Sequence, residues 1–249
     1  MIPRNLYLDQ RSLGWLCGLL EGEGTFVPGP PSKPRRPCVA LNMTDEDVVQ
    51  RVCDLWGARL YHIKVKHAEH LPVFRTELVG GSAVALMQVL EPHMSVRRRR
   101  QIATAVASYR VLRVVKHKRF HISLDGAESF DRYWHAALLE GEGAFTHNRG
   151  SPMIELNTVD QDVIERVQWI WREHYGCAVN VHVRPPRRAG YQPQFHLACY
   201  GDAARLIMDD IVPLLGQRRR MRIDELRGDW RQGRLMNEQR ARYAYRRAA

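Results

Sequence analysis

Leu19–Phe26 reads LLEGEGTF, and Leu138–Phe145 reads LLEGEGAF. Two eight-residue strings that differ by one Thr/Ala exchange mark an internal duplication. Each ends an apolar run with two glutamates set between glycines. The match continues downstream. VALNMTDEDVVQRV at Val39–Val52 parallels IELNTVDQDVIERV at Ile154–Val167, each with an L-N pair, a D-x-D pair and apolar residues at helical spacing. GGSAVALMQVLEPHMSVRRRR at Gly80–Arg100 parallels YGDAARLIMDDIVPLLGQRRR at Tyr200–Arg220. The period is far longer than that of a solenoid, so it predicts two similar subdomains about a pseudo-twofold axis.

Each copy reads as α-β-β-α-β-β-α-α. In the first, a helix spans about Ser12–Gly22 with Ser12 as N-cap. Strands follow at Gly24–Val27 and, after the Pro-rich PGPPSKPRRP, at Cys38–Met43. Thr44 caps a second helix that stops at Gly57. ARLYHIKVK and VFRTELVG alternate and read as paired strands. SAVALMQVLEPH and VRRRRQIATAVASYRVL are helices. The second copy starts with a helix near Asp131–Gly141. Its strands are expected near Gly143–Thr146, Pro152–Leu156, Ala178–Arg184 and Gln194–Tyr200. The predicted organisation is an N-terminal subdomain over 1–115, a linker over 116–129, a C-terminal subdomain over 130–228 and a basic tail over 229–249.

The 249 residues are 45% hydrophobic and 26% charged, which predicts a globular chain with real cores. No apolar run reaches the length of a membrane span, and the start lacks the pattern of a secretory signal. A cytoplasmic, nuclear or organellar location is expected. The five cysteines are scattered, with no C-x-x-C, so neither a disulfide framework nor a zinc site is indicated. Lys and Arg total 38 against 27 acidic residues, a net charge of +11. That balance favours a polyanionic partner.

Strand alternation sorts the polar side chains. His62, Lys64 and Lys66 oppose Tyr61, Ile63 and Val65. Asn180, His182 and Arg184 oppose Val179, Val181 and Val183. Arg75 and Glu77 share one face, as do Gln194 and His196. These groups can meet base edges and phosphates, and they recur in both halves of a basic chain.

The first helix carries Gly14, Gly18 and Gly22 on one side, with Tyr133, Ala137 and Gly141 at the matching positions of the second copy. Small residues on one stripe let two helices approach, and the simplest partner of each is the other. The glutamates need a separate explanation. Negative charge at a helix C-terminus opposes the helix dipole, and two acidic ends meeting at an axis would repel. A cation is required to offset them, and a divalent metal held by carboxylate oxygens and phosphates would do so.

LCGLLEGEG at Leu16–Gly24 and HAALLEGEG at His135–Gly143 resemble the paired signature motifs of the LAGLIDADG homing endonucleases, in their monomeric, double-motif form. The resemblance covers nearly the whole chain. It implies an α+β fold in which two pseudo-twofold-related αββαββα subdomains form a DNA-binding saddle of antiparallel sheets. It implies cleavage of both strands of a long, non-palindromic target by metal-dependent hydrolysis, in a protein of mobile introns. Mg²⁺ or Mn²⁺ would be the working ion, with Ca²⁺ binding without supporting cleavage. Glu23 and Glu142 match the metal-binding position of the motif, and Glu21 and Glu140 match a more structural one. Asn42 and Asn157 fall where a polar side chain organises active-site water. Arg97 and Arg218 fall where a cation approaches the scissile phosphate, while Arg98–Arg100, Arg219 and Arg220 read almost as well as non-specific phosphate contacts. His135 departs from the usual apolar residue. The alternatives within this fold are an RNA maturase acting on intron RNA and a DNA binder without catalysis. An intein-embedded nuclease is disfavoured, because neither end carries the expected splicing residues.

Overall fold

The first element lies ahead of any expected from the sequence. A computed structural model describes residues 5–30, 36–64, 71–109, 117–148, 150–186, 188, 190–228 and 230. The first half comprises β1 (Asn5–Leu8), α1 (Gln10–Gly22), β2 (Gly24–Val27), β3 (Cys38–Met43), α2 (Glu46–Trp56), β4 (Tyr61–Ile63), β5 (Val73–Val79), α3 (Gly81–Leu90) and α4 (Val96–Ala107). After β6 (Arg119–Ile122), the second half repeats the order. It comprises α5 (Phe130–Glu142), β7 (Gly143–Asn148), β8 (Ser151–Thr158), α6 (Gln161–Tyr175), β9 (His182–Arg184), β10 (Gln194–Tyr200), α7 (Gly201–Ile211) and α8, helical over 217–228.

Two four-stranded antiparallel sheets result, ordered β2-β3-β5-β4 and β7-β8-β10-β9. The duplication in sequence is therefore a duplication of topology, and the expected α+β architecture is present. Three of the strands occupy the predicted ranges residue for residue, β2, β3 and β10, and β5 stops one residue short of the predicted VFRTELVG. Others are shorter. The strand expected through ARLYHIKVK is confined to Tyr61–Ile63, and that expected over Ala178–Arg184 to His182–Arg184, because each is an edge strand pairing over three residues only.

The helix starts differ by a few residues from expectation. Asp9, not Ser12, caps α1: its Oδ1 accepts the Ser12 N–H at 2.8 Å. A carboxylate at that end also favours the helix dipole. Asp45 and not Thr44 holds the N-cap of α2. Gly57 and Gly176 end α2 and α6 in the left-handed conformation, at φ 62° and 63°. The segment expected as a linker contains β6, which pairs in parallel with β1 from Asn5↔Arg119 to Leu8↔Ile122.

α1 and α5 pack along the centre of the molecule. The Gly14 and Gly18 positions are explained by proximity: a Cβ at Gly18 would lie 1.9 Å from the Trp134 carbonyl oxygen, and one at Gly14 2.6 Å from that of Phe130. Leu13, Leu16, Leu19 and Leu20 of α1 and Leu138 and Leu139 of α5 are buried around this contact, each worth about 1.5–3 kcal/mol relative to exposure. The Arg51 guanidinium stacks 3.9 Å from the Trp15 ring centroid, and Arg166 stacks 4.0 Å from that of Trp134. His135 is buried too. Its Nε2 accepts the Trp171 indole N–H at 2.7 Å, and burial pushes its pKa down to about 3, so it packs as a neutral ring. No helix among the described residues is long and apolar enough to cross a membrane.

Candidate active site

The repeated glutamates take two different environments. Glu21 and Glu140 are buried, at 2% and 0% exposure. Glu21 receives the Ser95 N–H on Oε2 at 2.8 Å and the Ser95 hydroxyl on Oε1 at 2.6 Å. It thus ties the end of α1 to the start of α4. Glu140 receives the Gly216 N–H at 2.6 Å at the start of α8. Gly216 occupies the position of Ser95 and has no hydroxyl, so Glu140 Oε1 is buried with no hydrogen-bond partner. Burial raises the pKa of both carboxyls, and the hydrogen bonds of Ser95 and Gly216 oppose that rise.

Glu23 is half-buried and Glu142 is exposed, and each stands against the opposite helix. A Cβ on Gly22 would lie 2.7 Å from Glu142 Cγ, and one on Gly141 would lie 2.8 Å from Glu23 Cγ. The glycine of each motif is thus the seat of the other motif's carboxylate. Burial raises both pKa values, and the charge of Glu142 adds to the rise at Glu23. The strand register locates the asparagines. Gly24 pairs with Leu41 and Gly143 with Leu156, so Asn42 and Asn157 follow the strand residues that face the two glycines next to Glu23 and Glu142.

Two arginines also serve the acidic helix ends, at their backbone carbonyls. Arg98 is buried and donates to the carbonyls of Glu21, Gly22 and Gly24 at 2.9, 2.7 and 2.7 Å. Arg219 donates to those of Glu140 and Gly141 at 3.1 and 3.2 Å. Both therefore close the C-termini of α1 and α5, where a cation offsets the dipole. They are structural caps and not the surface phosphate contacts one sequence reading allowed.

Arg97 and Arg218 are more exposed and cross between the halves. Arg97 Nε lies 2.8 Å from each carboxylate oxygen of Asp160. Arg218 donates from Nε and Nη2 to the two oxygens of Asp45 at 2.6 and 2.7 Å. These pairs hold the Arg97 and Arg218 pKa values above their ordinary range. Sequence reading did not single out Asp45 or Asp160, although the repeated D-x-D strings contained them.

The sheet faces are partly as expected. In the second half, the pairings Gln194↔Arg184, His196↔His182 and His196↔Asn157 set all these residues on the face turned away from the core. His196 is only 8% exposed there and contacts Glu155 Oε1 at 3.3 Å. Asn180 is exposed but precedes the strand. In the first half, Tyr61↔Arg75 and Asn42↔Arg75 place Arg75, Glu77, Asn42, Tyr61 and Ile63 on the open face. His62 pairs with Phe74, which points to the core, so His62 lies on the face opposite Arg75. The expected grouping of His62 with Arg75 and Glu77 on one face does not hold; Tyr61 shares that face instead. Arg75 and Glu77 are ion-paired, with Nε–Oε2 at 3.0 Å. Lys64 is exposed beyond the end of β4, and Lys66 lies outside the described residues.

No family model matches the sequence, and no curated relative does. Solved structures do match. The LAGLIDADG meganuclease I-AabMI, solved bound to uncleaved DNA, superposes with a TM-score of 0.57 at 11% identity, over 91% of this chain and 92% of its own. The chain has the LAGLIDADG fold. The homing endonuclease I-WcaI, bound to its DNA recognition sequence, matches with a TM-score of 0.50 at 8% identity over 87% of each chain. Full-length DUF199/WhiA from Thermatoga maritima matches with a TM-score of 0.46 at 11% identity, over 95% of this chain and 68% of its own. In the LAGLIDADG fold as this chain builds it, the motif helices are α1 and α5, and the motif glutamates lie at their adjoining C-terminal ends.

Proposed function

We propose that this protein is a site-specific DNA endonuclease that hydrolyses one phosphodiester on each strand of a non-palindromic duplex. The observation that carries this reading is the pair Glu23 and Glu142. They are two carboxylates at adjoining helix ends, each seated on the other helix's glycine and each partly desolvated there. A purely structural pair of helix ends gains nothing from two like charges that raise one another's cost.

The donor set fits a hard divalent cation such as Mg²⁺ or Mn²⁺. It is all oxygen, and it relieves its own repulsion when a cation joins it. Among the described residues no group of three or more His, Cys, Asp or Glu side chains is poised for a metal. Glu23 and Glu142 would therefore hold the ion with phosphate and water completing its shell. The bound ion supplies charge neutralisation at the phosphate and a more acidic water. The chain's own residues do the rest. Asn42 and Asn157 orient water beside Glu23 and Glu142 by side-chain hydrogen bonds. Arg97 and Arg218 present positive charge to the phosphates as negative charge develops. The open faces of the sheets, with Tyr61, Arg75, His182, Arg184 and Gln194, meet the duplex, and the +11 net charge draws it in. Differences between the two faces suit a target whose half-sites differ, which one chain serves as a monomer.

The test is a randomised duplex library selected for binding in Ca²⁺ and then exposed to Mg²⁺. Double-strand cleavage of the selected duplexes is expected. Tight binding with no cleavage in Mg²⁺ or Mn²⁺ would instead mark a DNA binder without catalysis. Selective binding of structured RNA over every duplex would mark a maturase.

A further inference from the structure

The D-x-D strings recur in both halves, at Asp45/Asp47 and Asp160/Asp162. Every partner just described for their first aspartates lies in the opposite half, and the second aspartates follow the same rule. Asp162 Oδ2 accepts the Val96 N–H at 2.7 Å at the start of α4, and Asp47 Oδ2 accepts the Gln217 N–H at 2.7 Å at the start of α8. Each string thus fixes the N-terminus of the other half's helix and, two residues earlier, grips that helix's first arginine.

The grip is one-sided. The side chains of Asp45 and Asp160 are 5% and 8% exposed, whereas those of Arg218 and Arg97 are 54% and 41% exposed. A guanidinium has five N–H donors. Nε and Nη2 of each arginine are spent on the aspartate, while the side chain as a whole stays exposed. Beyond their aspartates, the arginines feel the charge of the motif glutamates: Glu21 and Glu140 first, then Glu142 and Glu23. Glu142 is among the carboxylates acting on Arg97, and Glu23 among those acting on Arg218. An arginine that left its aspartate would strand a nearly buried carboxylate, which is costly.

We infer that Asp160 and Asp45 are positioning residues: each holds one edge of a cation donated by the other half, Arg97 beside Glu142 and Arg218 beside Glu23, so that its second edge meets the phosphate of one DNA strand. Each half then supplies the acid of its own half-site and the cation of the other, and neither half builds a complete site alone. This rests on the nuclease reading above for its chemistry, and on the ion-pair geometry for the hold of each aspartate on its arginine.

Two measurements on the full chain test it, both with a duplex selected from the randomised library in Ca²⁺. The first is strand-resolved cleavage in Mg²⁺. Asp160→Asn is expected to slow the same strand as Arg97→Gln by about 10- to 100-fold relative to the other strand. Asp45→Asn is expected to slow the strand slowed by Arg218→Gln, with duplex affinity changed far less. Equal slowing of both strands, as a loss of folding would give, overturns the positioning role. The second is the NMR signal of the arginine Nε–H groups, which reads placement whether or not the wild type cuts. Arg97 and Arg218 should give slowly exchanging signals that vanish in Asp160→Asn and Asp45→Asn respectively, and that persist when the duplex binds. Loss of the wild-type signals on duplex binding means the arginines leave their aspartates, and overturns the inference. Failure of the wild type to cleave would sink the nuclease reading, while the NMR result still decides the placement.

Discussion

Replacing Gly18 by alanine should be among the most damaging single-methyl changes in the molecule. Gly18 sits where α1 crosses α5, and an added Cβ would lie 1.9 Å from the Trp134 carbonyl oxygen, 2.7 Å from its carbon and 3.0 Å from its Cα. Non-bonded heavy atoms settle near about 3.5 Å, so the helices would have to part by about 1.5 Å. The obstructing atoms are backbone and no rotamer change clears them. Opening this contact loosens the leucines around it. Overpacking of a core usually costs about 1–3 kcal/mol, and the upper end applies here because nothing soft is available to yield. For a chain of this size that lowers Tm by about 6–12 °C. The comparison variant is Gly228→Ala, in α8 with nothing within 4 Å of the new Cβ; it should be neutral or stabilising by about 0.5–1 kcal/mol. Calorimetry and urea titration of both variants beside the wild type read the difference. A Gly18→Ala protein that melts with Gly228→Ala would refute the close approach of α1 to α5.

Further outcomes follow from the same geometry. Gly22→Ala should cost less stability than Gly18→Ala, because it meets the Glu142 side chain at 2.7 Å and not backbone; its main effect should be slower cleavage of one strand in the strand-resolved assay. Ser95→Ala removes both the hydroxyl bonded to Glu21 and the cap that accepts the Arg98 N–H at 3.2 Å, and should destabilise by about 2 kcal/mol in urea titrations. Glu23 has its pKa raised by burial and by Glu142, so the folded state holds its proton longer than the unfolded chain does. Stability is therefore lost as pH rises from the ordinary value of 4.5 through the raised one. Without divalent metal, Glu23→Gln should accordingly gain Tm relative to wild type at pH 8 and much less at pH 4, and an equal gain at both would contradict that environment.

Much of this was legible in the residues because it is local or duplicated. The glycine stops, the period-two strands and the recurrence of LLEGEG gave both halves the same element order, and three strands fell on their predicted ranges. The failures have a common physical source. Alternation separates His62 from Tyr61 but does not say which of the two faces the core; the pairing of His62 with Phe74 decides that. β1 and β6 are four residues each and pair across the whole first half, so neither carries a usable local pattern. Asp9 outcompeted Ser12 as a cap at a helix end where both types are good caps. Arg98 and Arg219 close the acidic helix ends at their carbonyls, a role that spacing could not assign. The crossed pairs of Arg97 with Asp160 and Arg218 with Asp45 join residues that only the meeting of the two halves brings together.

The most direct measurement is the rate of cutting of each strand of a selected duplex in Mg²⁺ by the wild type, Glu23→Gln, Glu142→Gln and the double variant. The wild type should cut both strands, each single variant should lose activity on at least one, and the double variant should bind the duplex in Ca²⁺ and leave both strands intact. Cleavage by the double variant at the wild-type rate would contradict the assignment of Glu23 and Glu142 as the acids of the site.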